Sequence, residues 1–189
     1  MDKIYPVGKL PTEDLDRILQ TYASGTDDRV LVGPGVGQDA AVISFGAQVL
    51  VAKTDPITFA TDQIGWYAVH INANDIAAMG AVPKWFLTTI LLPEGKTTPV
   101  MIDQIFAGLS EACDELKITL CGGHTEVTHG LDRPVIVGQM LGEAASDQFV
   151  SAGDAQIGDQ IILTKGIAIE ATALIAIEKS DTLKNTFSE

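Results

Sequence analysis

Residues 39–55 read DAAVISFGAQVLVAKTD, and the way this stretch pairs decides what the rest of the chain can be. Two apolar segments, AAVIS (40–44) and QVLVAKT (48–54), pivot on Phe45-Gly46-Ala47, the pattern of a β-hairpin with a short glycine-containing loop. With the loop centred near Ala47, Asp39 faces Asp55. Carboxylates opposed across a strand pair have Cβ atoms about 5 Å apart and weaken the sheet. A cation between them relieves the repulsion, and so does solvent if both residues end an exposed sheet. Lys53, two residues before Asp55, shares its face of the strand.

Outward from the hairpin, IGWYAVHINANDIAAMGAVP (64–83) is apolar at helical spacing and is stopped by Gly80 and Pro83. KWFLTTILLP (84–93) reads as a strand buried on both faces. Thr98-Pro99 then opens a helix whose core stripe is Ile102, Ile105, Phe106, Leu109, Cys113 and Leu116. KITLC (117–121) is a short strand entering a turn at Gly122-Gly123, and RPVIVGQMLGEA (133–144) is a further strand. Upstream, Thr12 caps a helix reaching about Ala23, with Leu15, Ile18, Leu19 and Tyr22 on one face, and a Gly33–Gly37 loop leads into the hairpin. After the first helix the order is ββαβαβ, which predicts an α/β or α+β domain with helices packed on a sheet. The domain is expected over residues 1–145. Residues 146–189, in which GDQIILTKG (158–166) reads as a strand and IAIEATALIAIEK (167–179) as a helix, are too few for a core of their own and read as an incomplete second domain or a docked segment.

Across 189 residues the net charge is −13, which argues against broad binding to a nucleic-acid backbone. A single nucleotide remains compatible, because Mg²⁺ can stand between its phosphates and the protein's carboxylates. No apolar run reaches the roughly 18 residues of a membrane span, and MDKIYPVGKLPTEDLD carries no signal pattern, so the cytoplasm is expected. Cys113 and Cys121 belong to no CxxC pair and read as buried free thiols.

Several residues break local rules. Asn74-Asp75 lies inside an apolar helix, where neither residue is favoured, so Asp75 is either a ligand or a hydrogen-bond partner of a neighbouring loop. Cys121-Gly-Gly-His124-Thr-Glu126 offers a thiol, an imidazole and a carboxylate, but no fourth zinc ligand is evident. Its glycine pair with Thr125 suits contact with a nucleotide or Mg²⁺, or is simply a tight turn. The Gly33–Gly37 loop matches neither GxxxxGK[ST] nor G-x-G-x-x-G. Lys9, Lys53 and Lys165 can each reach a phosphate or remain solvated surface charges.

Taken in order, GVGQDAAVI (35–43), KTDPITF (53–59), NDIAAMGAVP (74–83), GGHTEV (122–127) and GDQIILTKGIAIEATA (158–173) resemble the successive motifs of the aminoimidazole ribonucleotide (AIR) synthetase superfamily, the PurM-like proteins. That superfamily includes the hydrogenase formation protein HypE, thiamine-monophosphate kinase and selenophosphate synthetase, and PVGKLPTEDLDRIL (6–19) is most similar to HypE and AIR-synthase-related proteins. The resemblance implies a PurM-like N-terminal domain that forms a homodimer and binds ATP with Mg²⁺. It implies that Asp39, Asp55 and Asp75 hold metal and phosphate, with Lys53, Asn74, Gly122, Gly123 and Thr125 assisting. It further implies phosphoryl transfer to an amide-like oxygen of an unknown small-molecule or peptide acceptor, the chemistry of hydrogenase maturation. HypE-like proteins act on their own C-terminal cysteine, whereas this sequence ends LKNTFSE. Gln38 stands where many relatives have Asp, and His124 where the superfamily's kinases have Asp. A truncated dimeric module without catalysis and a thiamine-monophosphate-kinase-type enzyme are the alternatives.

Overall fold

The computed structural model describes residues 4–187 other than 24, 26, 60 and 61. The chain divides into two compact units, Met1–Asp154 and Ala155–Glu189. In the first, α1 (Thr12–Tyr22) precedes β1 (Val30–Val32), β2 (Ala41–Phe45) and β3 (Gln48–Ile57), followed by α2 (Ile64–Ala78), β4 (Val82–Pro93), α3 (Pro99–Leu116), β5 (Thr119–Thr128) and β6 (Val135–Ala145). The strands form one six-stranded sheet in the order β1-β2-β3-β6-β4-β5. Every pairing is antiparallel except β4 with β5, the pair that α3 connects. This mixed sheet with helices packed on it is the architecture expected from the alternation of strand and helix patterns.

The core lies between one sheet face and the helix pair α2 and α3. Val42, Val49, Val51, Phe86, Ile90, Ile136 and Met140 are buried there, beneath Ala68, Val69, Ile76 and Leu109. Each large apolar side chain removed from water stabilises the fold by roughly 1.5–3 kcal/mol. The two helices approach closely at glycines. A Cβ on Gly65 would collide with the Ile105 carbonyl oxygen, and one on Gly108 would lie 3.3 Å from the Trp66 backbone nitrogen. The ends of α3 follow from its sequence: the Thr98 hydroxyl accepts a hydrogen bond from the Met101 N–H at 3.2 Å, Pro99 opens the first turn, and Lys117 closes the helix at φ 57°. By contrast α1 begins at Thr12 behind Pro11 with no side-chain cap.

In four places the structure departs from expectation. The hairpin loop is Gly46-Ala47 alone, with Gly46 at φ 72°, and the register pairs Phe45 with Gln48 and Ala41 with Ala52. That register is offset by one from the pairing that would set Asp39 against Asp55, and the paired residues end at Ala41, before Asp39; one residue of loop length moves every partner by one. Second, β4 is buried on one face only: Phe86, Thr88, Ile90 and Leu92 are buried, while Trp85 is exposed and Leu87 and Leu91 are half-buried. Among the described residues of the first unit no helix covers the opposite face, where Leu50, Leu87, Leu91, Val137 and Leu141 lie. Third, the Gly122-Gly123 turn is a strand, because β5 continues to Thr128 against β4 and absorbs Cys121 at a register shift. Cys121 is therefore exposed rather than buried, while Cys113 is buried as expected, with its thiol pushed up to about 11 by burial and by the charge of Asp114.

The fourth departure is in the second unit. Residues 158–166 form no strand, having no partner among the described residues, and the helical pattern resolves into α4 (Ile169–Glu178) and α5 (Ser180–Thr186). Before that break the first unit extends past β6, where the Val150 N–H donates to the Met79 carbonyl at 2.9 Å. No helix among the described residues is long and apolar enough to cross a membrane.

Alanine in place of an exposed helical glycine stabilises by about 1 kcal/mol. At Gly65 the clash with the α3 backbone reverses that sign, so Gly65→Ala should lower unfolding free energy by about 2 kcal/mol. A urea melt that shows a gain would contradict the close helix contact.

Candidate functional site

Strand alternation turns Lys53 and Asp55 toward α2, the side on which Val51 and Ile57 are buried. Asp75, near the C-terminal end of α2, meets them from above. Lys53 Nζ lies 2.8 Å from Asp75 Oδ2 and 3.8 Å from Asp55 Oδ2. The Lys53 and Asp75 side chains are only 18% and 24% exposed, so water screens this pair weakly. Burial pulls the Lys53 ammonium toward a lower pKa. The hydrogen bond that Lys53 donates to Asp75 and the charges of Asp75, Asp55 and Asp39 outweigh that pull, and the lysine is held above its ordinary value. Asp39, although out of register with Asp55, thus adds its charge to the same point. Of the three aspartates singled out in the sequence, Asp55 and Asp75 meet at Lys53, while Asp39, itself exposed, acts on it through its charge alone.

The hairpin itself thus supplies the positive charge that faces these carboxylates. Among the described residues no three His, Cys, Asp or Glu side chains are grouped as metal ligands. Here the carboxylates are arranged around an ammonium instead.

Asn72, which the sequence reading passed over in favour of Asn74, is the buried asparagine. Its amide nitrogen donates to the Ala68 carbonyl at 2.8 Å and the Asp55 carbonyl at 3.4 Å, tying α2 to β3. Gly138 on β6 makes the room: a Cβ there would collide with the Asn72 amide. Its Oδ1 is buried without a donor, as is Gln38 Oε1 beside Asp39. An orphaned acceptor of this kind costs about 1–3 kcal/mol. Asn74 itself is exposed. The signal for Asn72 was present in the sequence: it stands one turn before Asp75 and one turn after Ala68, a polar residue on the buried stripe.

Gly122, Gly123 and Thr125 lie on β5, which β4 and β6 separate from β3. Three strand spacings are about 14 Å, too far for contact with Lys53. A Cβ on Gly123 would collide with the Thr88 carbonyl, so that residue is reserved for close strand packing. The zinc reading loses its geometry on the same strand. His124 Nε2 pairs with Glu126 Oε2 at 2.9 Å, while the Cys121 thiol turns to the Phe86 carbonyl at 3.5 Å. Lys9 and Lys165 are exposed and lie in different units.

A six-stranded mixed sheet with helices on one face and the Asp55 and Asp75 carboxylates gathered between β3 and α2 defines an α/β domain with an acidic site at the sheet–helix seam. Residues 37–144 match the family described as AIR synthase related protein, N-terminal domain, and the chain belongs to that family. Every residue of the cluster lies within the matched range. The chain is 32% identical over 172 residues to the selenide, water dikinase of Aeromonas hydrophila subsp. hydrophila, covering 87% of this chain and 49% of that protein. Among solved structures, a chain of a HypE–HypF complex superposes with a TM-score of 0.70 at 22% identity, over 88% of this chain and 53% of the other. AaThiL complexed with AMPPCP and TMP superposes with a TM-score of 0.64 at 20% identity, over 93% and 64%. At those identities the likeness is one of fold. The chain spans about half the length of the curated relatives it matches.

Replacing Asp75 tests the cluster. Asp75→Asn should cost about 1–2 kcal/mol, less than the roughly 3–5 kcal/mol of a broken fully buried pair because both partners keep some water. Since Lys53 is held above its ordinary 10.5, its contribution is complete below pH 10.5 and is lost as pH rises through the folded-state value. Urea melts should show a wild-type advantage that is constant from pH 7 to about 10 and closes at higher pH. An advantage that widens there would refute the ion pair.

Proposed function

We propose that this chain is an ATP- and Mg²⁺-binding, HypE-like protein of the cytoplasm that uses ATP to phosphorylate and so activate an amide-like oxygen of a small-molecule or peptide acceptor. The observation that carries this reading is the meeting of Asp55 and Asp75 at Lys53, 3.8 Å and 2.8 Å from its ammonium, with the charge of Asp39 acting on the same point. The residues fit a hard cation. The Asp55 and Asp75 carboxylates flank a position already held by a positive charge, the charge of Asp39 acts on the same point, and the orphaned oxygens of Asn72 and Gln38 lack a donor. All are oxygen donors, the set Mg²⁺ takes. When bound, the ion would offset the charge of the phosphates. Asp39, Asp55 and Asp75 would hold it, and Lys53 would turn its ammonium to a phosphate oxygen. Asn72 fixes the separation of β3 and α2. Gly122, Gly123 and Thr125 are assigned to a more distant part of an extended nucleotide.

The domain over residues 1–145 is assigned nucleotide binding and dimerisation, and 146–189 is assigned to the start of a second domain whose completion turnover requires. The homodimer interface is placed on the open sheet face, where Leu50, Leu87, Leu91, Val137 and Leu141 form an apolar surface. A thiamine-monophosphate-kinase-type activity is the second reading. Its support is the AaThiL superposition, which covers 93% of this chain and whose bound AMPPCP is an ATP analogue.

Titration calorimetry with ATP and Mg²⁺ should show saturable binding that weakens by about ten-fold or more in Asp55→Asn/Asp75→Asn, the loss expected of charged ligands to a phosphate-bound ion. Full affinity in that double variant would contradict the assignment. Leu87→Glu/Leu141→Glu should convert the dimer to a monomer by light scattering, and an unchanged mass would remove the open face as the interface.

A further inference from the structure

Asp55 and Asp75 flank an ammonium that belongs to the chain itself. Lys53 Nζ is 2.8 Å from Asp75 and 3.8 Å from Asp55, with Asp39 also acting on it, and the lysine side chain is largely shielded from water. A compact point charge on a flexible four-carbon stem is suited to move as one unit. A divalent ion bound to the same carboxylates would sit within about 4 Å of that ammonium, and like charges at such a separation repel strongly where water is scarce. Both cations cannot occupy the cluster together. Lysine must withdraw, giving up its hydrogen bond to Asp75, and its charge then needs another anion.

We propose that Lys53 is a tethered competitor for the metal position, which disfavours uptake of a divalent ion alone and favours uptake together with a phosphate-bearing ligand that receives the displaced ammonium. This rests on the reading in which Asp39, Asp55 and Asp75 hold a metal ion. Asn72 gives it a second footing. Its buried Oδ1 has no donor even with the ammonium in place, so Lys53 leaves one oxygen beside Asp55 unserved that a metal-bound water could satisfy. The device makes binding ordered by electrostatics: metal and phosphate each remove the obstacle to the other, which is positive coupling between the two ligands.

The test uses Mn²⁺ as the probe, titrated calorimetrically and by electron paramagnetic resonance into the wild type and Lys53→Met. Without nucleotide, Lys53→Met should bind Mn²⁺ about ten-fold or more tightly than the wild type, since the built-in competitor is gone. With ATP present the advantage should disappear or reverse. Thermal melts follow the same logic: the variant loses stability when the carboxylates lose their counter-ion, and Mn²⁺ restores it. Adding Asp75→Asn to Lys53→Met should abolish that restoration. Equal or weaker Mn²⁺ binding by Lys53→Met overturns the proposal, as does a variant that stays unfolded in saturating Mn²⁺. If the wild type nonetheless binds Mn²⁺ with ATP through the aspartates, only the competitor role fails. If no protein binds Mn²⁺ with ATP through them, the metal site itself fails.

Discussion

A positive charge held at the seam between a strand and a helix is the constraint on which the rest of this domain depends. Lys53 projects from β3 into a shielded space, and a charge there is tolerated only when opposite charges face it. Asp75 supplies the nearest, and it can do so only if α2 lies close to the sheet. Glycines make that approach possible. Gly138 admits the Asn72 amide, and a Cβ on Gly142 would collide with Ile76 of α2. On the far side of α2, Gly65 and Gly108 bring α3 to the same short distance. Small residues on three elements therefore set the position of one carboxylate.

Much of this was legible in the sequence because its signals are local. Alternation from Val49 to Ile57 gave β3 and put Lys53 and Asp55 on one face. Helical spacing gave α2 with Asp75 out of place within it, and Thr98-Pro99 marked the start of α3. The motifs that resemble AIR synthetase relatives pointed to the aspartate trio. Tertiary facts were hidden. A loop of two residues cannot be told from one of three when Phe45-Gly46-Ala47 is read alone, and that single residue decides the register of the hairpin. Gly122-Gly123 has the composition of a turn, yet pairing with β4 draws it into a strand where only glycine fits against Thr88. Asn72 was overlooked because an asparagine on a buried stripe shows its role only when the opposite strand, with Gly138, is in view.

Membership of the AIR synthase related family places the cluster in a domain shared by phosphate-transferring and hydrogenase-related proteins, and the sheet explains how one scaffold serves them. One face is committed to the core. The other is apolar and, among the described residues of the first unit, uncovered by any helix.

The most direct measurement of the central claim is a crystal structure with Mg²⁺ and AMPPCP. The account requires electron density for the ion among the Asp39, Asp55 and Asp75 carboxylates, with Lys53 Nζ withdrawn from Asp75 and facing a phosphate oxygen. A nucleotide bound elsewhere, with the 2.8 Å contact between Lys53 and Asp75 intact, would contradict it.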